Sequence, residues 1–235
     1  MERGYVAWES GRITALAAGE PSALPKDCTT IDAGGCVVTP GFVDCHTHAC
    51  WAGDRSDEWA MKLAGRSYLD ILAAGGGIMS TVRAVRATGQ EELTALLVRR
   101  LSEMANYGTT TVEVKSGYGL NTESEVKMLR AIDAARALTP QRIAATFLGA
   151  HAIDPDQADF VARTIAETLP AAARLMPGIA VDAYCEQGAW SATDCAAYFE
   201  RARTLGCPVR VHTNQFHSLG MVERAVEMGA VSLDH

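Results

Sequence analysis

An α/β fold built on a parallel sheet is what this sequence predicts, and three observations predict it. From about residue 39 onward, short apolar runs bounded by turn residues alternate strictly with longer stretches of helical periodicity. Aromatic residues make up only 6% of the chain while Ala, Gly and Val are plentiful, which suits closely packed layers. Polar, chemistry-bearing residues recur where the apolar runs end, which is where parallel α/β sheets place their sites.

Residues 1–38 read differently from the rest. Val6–Ile13 reads as a small hairpin turning at Ser10-Gly11, Pro21 and Pro25 mark a loop, and Thr30–Val38 reads as strand, turn, strand. The segment is too short for a core of its own, so it is expected to be an incomplete small β-domain. Strands are then expected at Phe42–His46, Thr110–Lys115, Ile143–Leu148, Ala180–Cys185, Val209–His212 and Val231–Asp234. Between them, Glu91–Tyr107 carries Leu93, Leu96, Leu97, Leu101 and Met104 at helical spacing, with Gly108 as a stop. Glu123–Leu138 puts Val126, Leu129 and Ile132 on one face, with Asn121 or Thr122 as cap and Pro140 beyond. Asp156–Leu169, Ser191–Leu205 and Leu219–Met228 complete the series.

Strict alternation with polar groups at nearly every strand end favours a (β/α)8 barrel over a doubly wound sheet, since no GxGxxG turn follows the first strand. Eight strands close such a barrel and six are legible, so residues 39–235 are expected to form a partial one. Six strands alone would leave two sheet edges exposed. The expectation is a fragment of a longer protein, or a chain completed by a partner.

The chain has 235 residues, 48% hydrophobic and 21% charged, and a formal charge of −7, ordinary values for a soluble globular protein. No basic patch marks a nucleic-acid partner. No apolar run is long enough to span a bilayer, and the N-terminus lacks a secretory apolar stretch. Seven cysteines form no CxxC pair, which argues for reduced thiols in a cytoplasmic protein.

The run Val38–His48 ends in His46-Thr47-His48. Histidines at i and i+2 on a strand share a face, so both imidazoles can reach one cation; Cys45 then faces away and is expected to pack. All six histidines fall where strands meet loops: His46, His48, His151, His212, His217 and His235. His46, His48 and His212 are the candidate ligands of one ion, and His235 is the candidate proton shuttle, because imidazole titrates near neutral pH. Arg55 has the fork to grip a carboxylate, and Tyr68, Tyr118 and His151 have the groups to orient a polar ring. Lys115 reads as a structural residue near the site. Gly75–Gly77 reads as a flexible loop over it, since no Walker lysine accompanies these glycines.

These residues together resemble the imidazolonepropionase family of the amidohydrolase superfamily. The resemblance is carried by PGFVDCHTH (Pro40–His48), GDR (Gly53–Arg55), LAGRSYLDILAAGGGIMSTVRAVR (Leu63–Arg86), TTTVEVKSGYGL (Thr109–Leu120), TFLGAHA (Thr146–Ala152), CEQGAW (Cys185–Trp190), HTNQ (His212–Gln215) and SLDH (Ser232–His235). It implies a TIM barrel of the metal-dependent hydrolase type and opening of the 4-imidazolone-5-propanoate ring by water, giving N-formimidoyl-L-glutamate in histidine breakdown. It implies one Zn²⁺ or Fe²⁺/Fe³⁺ ion on His46, His48 and His212, and contacts from Arg55, Tyr68, Tyr118 and His151 to a small substrate with a carboxylate tail. It implies His235 as catalytic histidine, with Gln215 close to the attacking water. Glutamine can orient water but not deprotonate it, which shifts proton transfer toward His235. The family's fourth ligand, an aspartate ending the eighth strand, lies beyond His235, and Asp234 belongs to the sixth strand. Dimerisation is implied only by the resemblance. Two alternatives stay open: a sister amidohydrolase such as formimidoylglutamate deiminase, and a non-catalytic truncated remnant.

Overall fold

The computed structural model describes residues 3–67, 70–71 and 74–235. The chain divides into two compact units, Met1–Pro40 and Gly41–His235.

In the first unit, β1 (Gly4–Glu9) and β2 (Arg12–Ala18) pair antiparallel. Ser10 and Gly11 join them with φ of 50° and 75°, the left-handed pair whose twist matches the flanking strands. The strand pair expected within Thr30–Val38 does not form. The segment is irregular around a turn at Gly34-Gly35, closed by the Cys36 N–H on the Ala33 carbonyl at 2.9 Å. Val37 and Val38 are exposed. Among the described residues no strand offers this stretch an edge, and without a ladder its backbone groups turn to water.

The second unit is a six-stranded sheet, all parallel and in chain order: β3 (Phe42–Asp44), β4 (Thr109–Lys115), β5 (Arg142–Ala150), β6 (Ala180–Cys185), β7 (Val209–Thr213) and β8 (Ser232–Asp234). The sheet is curled. Arg210 on β7 donates to a Glu113 carboxylate oxygen on β4 at 2.6 Å, across three strand spacings that would keep them roughly 14 Å apart in a flat sheet. The fold is therefore a half-barrel whose concave face carries the charged residues and whose convex face carries buried Val112, Val114, Val181, Ala183, Val209 and Val211.

Helices cover the convex face. The first, α1 (Ser56–Leu63), was not legible as a helix in the sequence; it buries no residue completely, with Glu58 and Met61 half-buried. After it come α2 (Ile78–Ala87) and α3 (Gln90–Asn106), which bury Val82, Val85, Leu93, Leu97 and Leu101. Gly108 follows α3 at φ 91° and turns the chain into β4. In α4 (Thr122–Ala135) the Asn121 side chain accepts from the Ser124 N–H at 2.8 Å, the expected cap. The helix expected over Asp156–Leu169 starts later and ends later. Here α5 (Phe160–Arg163) passes through a π turn, Thr164–Thr168, into α6 (Leu169–Leu175). Pro170 lies directly after the π turn, and the helix continues past it. Finally α7 (Ala192–Thr204), capped by Ser191, and α8 (Met221–Glu227) flank β6 to β8.

Candidate metal centre and the cavity beside it

Inward-facing residues follow the strand alternation. Asp182 on β6 is the ladder neighbour of Arg210 on β7, which neighbours Ser232 on β8; one step toward the carboxyl ends, Tyr184, His212 and Asp234 form the next row. On β4, Glu113 and Lys115 point the same way. Lys115 is fully buried, with its Nζ 2.7 Å from Asp182 and 2.8 Å from Glu113. Arg210 joins Glu113 and also reaches the Cys45 carbonyl at 3.2 Å. Lys115 thus belongs to a buried ionic network beneath the histidines.

The ladder of β3 stops at Asp44, so His46 and His48 lie just beyond the strand rather than on it. Extended geometry nevertheless continues. The Thr47 carbonyl accepts from the Lys115 N–H at 3.1 Å and the Thr47 hydroxyl donates to the Glu113 carbonyl, which turns both flanking imidazoles the same way. His48 Nε2 lies 3.3 Å from His46 Nε2 and 3.2 Å from His212 Nε2. Cys45, expected to pack, is exposed.

The opposite ring atoms are tied to carboxylates. His212 Nδ1 is 3.0 Å from Asp182, and His46 Nδ1 is 3.1 Å from Asp234. The proton His212 shares with Asp182 sits on Nδ1, so its Nε2 presents a lone pair toward the other rings, while His46 Nδ1 lies beside a buried Asp234 oxygen that takes no hydrogen bond among the described residues. One proton on His48 Nε2 bridges to only one of the other two Nε2 atoms, and leaves the buried His48 Nδ1, which has no partner, as an orphaned lone pair. Three nitrogens with excess lone pairs at this spacing fit a cation between them. Burial, then the neighbouring His151 and His212, pushes the His48 pKa down to about 2; burial, then Lys115 and His212, lowers His46 against the pull of Asp234. Both rings are therefore neutral near pH 7, the ligand form. Burial acts to raise Asp182, but the hydrogen bonds and charges of His212 and Lys115 outweigh it and hold this carboxyl well below the usual range.

His235 ends β8 with its ring 5.3 Å from His46 and 5.4 Å from His212. A nitrogen of His235 lies within 4.8 Å of those of His46 and His212, as close as a ligand would be, and Asp182, His212 and Asp234 form a second such grouping. Gln215 is exposed on the loop after β7, and among the described residues no hydrogen bond joins it to the histidines. That loop is held from below by buried Glu186, whose carboxylate accepts from the Phe216 and His217 N–H groups at 2.9 and 3.2 Å and pairs with His217 Nδ1 at 2.7 Å. Burial acts to raise Glu186, yet these bonds and that of the Gln187 N–H bring it down to about 2.

A cavity of about 350 Å³ opens beside His48, lined by Trp51, Asp54, Arg55, Thr81 and Tyr118. His151 stacks on His48 with ring centres 5.0 Å apart and shares a 2.9 Å hydrogen bond with the Gly117 carbonyl; burial lowers its pKa to about 4. Arg55 forms a two-bond pair with Glu58 at 2.9 and 2.6 Å. Glu58 also accepts from the Gly77 N–H at 3.1 Å, and Arg83 donates to the Gly75 carbonyl, so Gly75–Gly77 is tied down rather than loose. Arg100 on α3 stacks 3.5 Å from the Trp51 ring centre and donates to the Ala49 and Trp51 carbonyls. Tyr68 lies outside the described residues.

Asp182, Asp234, Glu58, Glu186 and Arg100 were missed by sequence reasoning. Asp182 and Asp234 had a signal, an acid at an inward position of an otherwise apolar strand. The other three act through loops whose course only the fold reveals.

The amidohydrolase family profile matches residues 37–235. Imidazolonepropionase of Herpetosiphon aurantiacus is 44% identical over 247 residues, covering all of this chain and 58% of that protein. Imidazolonepropionase of Methylobacterium nodulans is 46% identical, with coverages of 100% and 60%. The enzyme of that name from Haloarcula marismortui is 48% identical, with coverages of 87% and 49%. The chain thus spans about half to three-fifths of the length of the curated relatives it matches. Among solved structures, 5-methylcytosine deaminase from Klebsiella pneumoniae superposes with a TM-score of 0.66 at 13% identity, covering 96% of this chain and 52% of that one. N-isopropylammelide isopropylaminohydrolase from Burkholderia multivorans gives 0.64 at 16%, with coverages of 95% and 54%. At such identities the likeness speaks for the fold.

Proposed function

The chain belongs to the amidohydrolase family, and from that premise we propose that it is the metal-binding part of an imidazolonepropionase. The reaction is hydrolysis of 4-imidazolone-5-propanoate to N-formimidoyl-L-glutamate. The observation that carries this reading is the convergence of three imidazole Nε2 atoms, two of them backed by carboxylates, beside a cavity holding Arg55 and Tyr118.

His46, His48 and His212 hold one ion, zinc or iron. Such an ion would supply Lewis acidity, bringing the pKa of water toward about 7. Arg55, oriented by Glu58, takes the propanoate carboxylate. Tyr118 and His151 hold the polar ring, with Tyr68 assigned to the same task. His235 carries the proton from water to the departing ring nitrogen, with Gln215 assigned to orient the water. Lys115 and Asp182 hold His212 in its ligand tautomer. A small β-domain containing residues 1–38, a homodimer and a cytoplasmic setting complete the proposal; among the described residues no helix is long and apolar enough to cross a membrane.

The test titrates zinc and ferrous iron into the purified protein and assays 4-imidazolone-5-propanoate and N-formimidoyl-L-glutamate side by side. The expected result is one ion per chain, lost in His212→Ala, and in the protein extended to the length of its relatives, metal-dependent conversion of the imidazolone alone. Ammonia released from N-formimidoyl-L-glutamate would move the assignment to a deiminase. Absence of stoichiometric metal would leave a non-catalytic remnant.

A further inference from the structure

We propose that Glu125 is a positioning residue of this site, fixing Tyr118 and His151 through the backbone of the Ser116–Leu120 loop. The inference rests on the reading of those two side chains as substrate contacts.

Glu125 lies in the first turn of α4 and is 1% exposed. One carboxylate oxygen accepts from the Gly119 and Leu120 N–H groups at 2.7 and 3.0 Å, and the other from the Gly117 N–H at 3.0 Å. Three backbone N–H groups within the four residues Gly117–Leu120 thus point at one side chain. The loop's carbonyls go elsewhere: Gly119 accepts from Arg86 at 2.8 Å, Leu120 from Gln157 at 2.7 Å, and Gly117 faces His151. Tyr118 is the residue this cradle leaves projecting into the cavity.

The glycines make the cradle possible. Gly117 has φ of 109°, and a Cβ there would stand 2.7 Å from the Leu148 carbonyl oxygen and 3.1 Å from His151 Nδ1. Only glycine lets that carbonyl turn to the imidazole. A Cβ on Gly119 would lie 2.5 Å from the Glu125 nitrogen, so its absence lets the loop settle onto the helix end. Burying a carboxylate is costly, and an apolar side chain would pack this helix turn more cheaply. What the carboxylate adds is one defined backbone path, and that path sets where Tyr118 and His151 stand relative to His48.

The experiment uses Glu125→Gln, with Glu125→Asp as the charge-preserving substitute should the first not fold. Long-range proton–nitrogen NMR on the ¹⁵N-histidine-labelled protein reads the tautomer of His151, assigned through His151→Asn. The native protein is expected to show a protected Nδ1–H on His151, and the Glu125 variant to lose that protection while still binding one zinc. In the zinc-loaded protein, 3-(imidazol-4-yl)propanoate, a stable imidazole with the same tail, is titrated by calorimetry. Glu125→Gln should weaken it at least tenfold in the native background and less than twofold when Tyr118→Phe and His151→Asn are already present. An unchanged His151 signal in a folded variant, or equal weakening in both backgrounds, overturns the proposal. If the native protein ignores the probe while the His151 signal still answers to Glu125, the substrate reading falls and the positioning of His151 stands.

Discussion

The middle strands of the sheet, β4 to β7, and its edge strands, β3 and β8, share one direction and one alternation yet live in different surroundings. The carboxyl-terminal half of each middle strand is almost wholly buried, with Glu113, Lys115, Asp182 and His212 inside the curl. Each edge strand is three residues long and leaves apolar side chains in water: Phe42 and Val43 on one, Leu233 on the other. The candidate centre straddles this divide. His212 and its carboxylate Asp182 both come from middle strands, whereas His46 and its carboxylate Asp234 come from the two opposite edges. The same imidazole–carboxylate device is built once in the core and once from the rims. Alternation puts a ligand on the correct face; flanking strands are what hold it there.

Removing the cation from the middle of the sheet should break this contrast most forcefully. Lys115→Met leaves Glu113 and Asp182 without their shared ammonium in a dry interior, an expected loss of about 3–5 kcal/mol read from the urea midpoint. A loss under about 1 kcal/mol would mean that the interior is no better shielded than the edges.

The loop between β7 and α8 offers a second handle, through pH. The Glu186 carboxyl is held near 2 in the fold, below its ordinary value of 4.5, so its stabilisation is complete above pH 4.5 and disappears as pH falls toward 2. Glu186→Gln is expected to cost on the order of 2–3 kcal/mol at neutral pH. The gap between the two proteins should close across that acid window, as followed by unfolding curves at stepped pH. A gap independent of pH would assign the loss to packing.

The smallest effects sharpen the comparison directly. Val112→Ala on β4 removes fully buried methyl groups, at about 1.5 kcal/mol, while Val43→Ala on β3 should stay within about 0.5 kcal/mol. Equal losses in thermal unfolding would show that the edge is covered in solution.

Much of the fold was legible because strand and helix periods are local. Leu93, Leu97 and Leu101 announce α3, and Asn121 announces its neighbour's cap, from residues within one or two turns. Thr30–Val38 failed because alternation proposes a strand and only an adjoining ladder makes one. The helix expected to end at Leu169 runs on because a π turn carries it past Pro170. Within the site, His46, His48 and His212 could be named from HxH and strand-end placement. Glu58, Glu125 and Glu186 could not, since each grips backbone N–H groups, and any sequence supplies those.

By itself, then, the sequence determined the order of the six strands, their parallel sheet and the set of imidazoles, all of which follow from short-range periodicity and residue chemistry. Only the tertiary structure decided which nitrogen of each ring faces the common point, which carboxylates stand behind His46 and His212, and how the rim loops are tethered. Those outcomes depend on desolvation and on hydrogen bonds between residues far apart in the chain, quantities that do not exist until the sheet has curled.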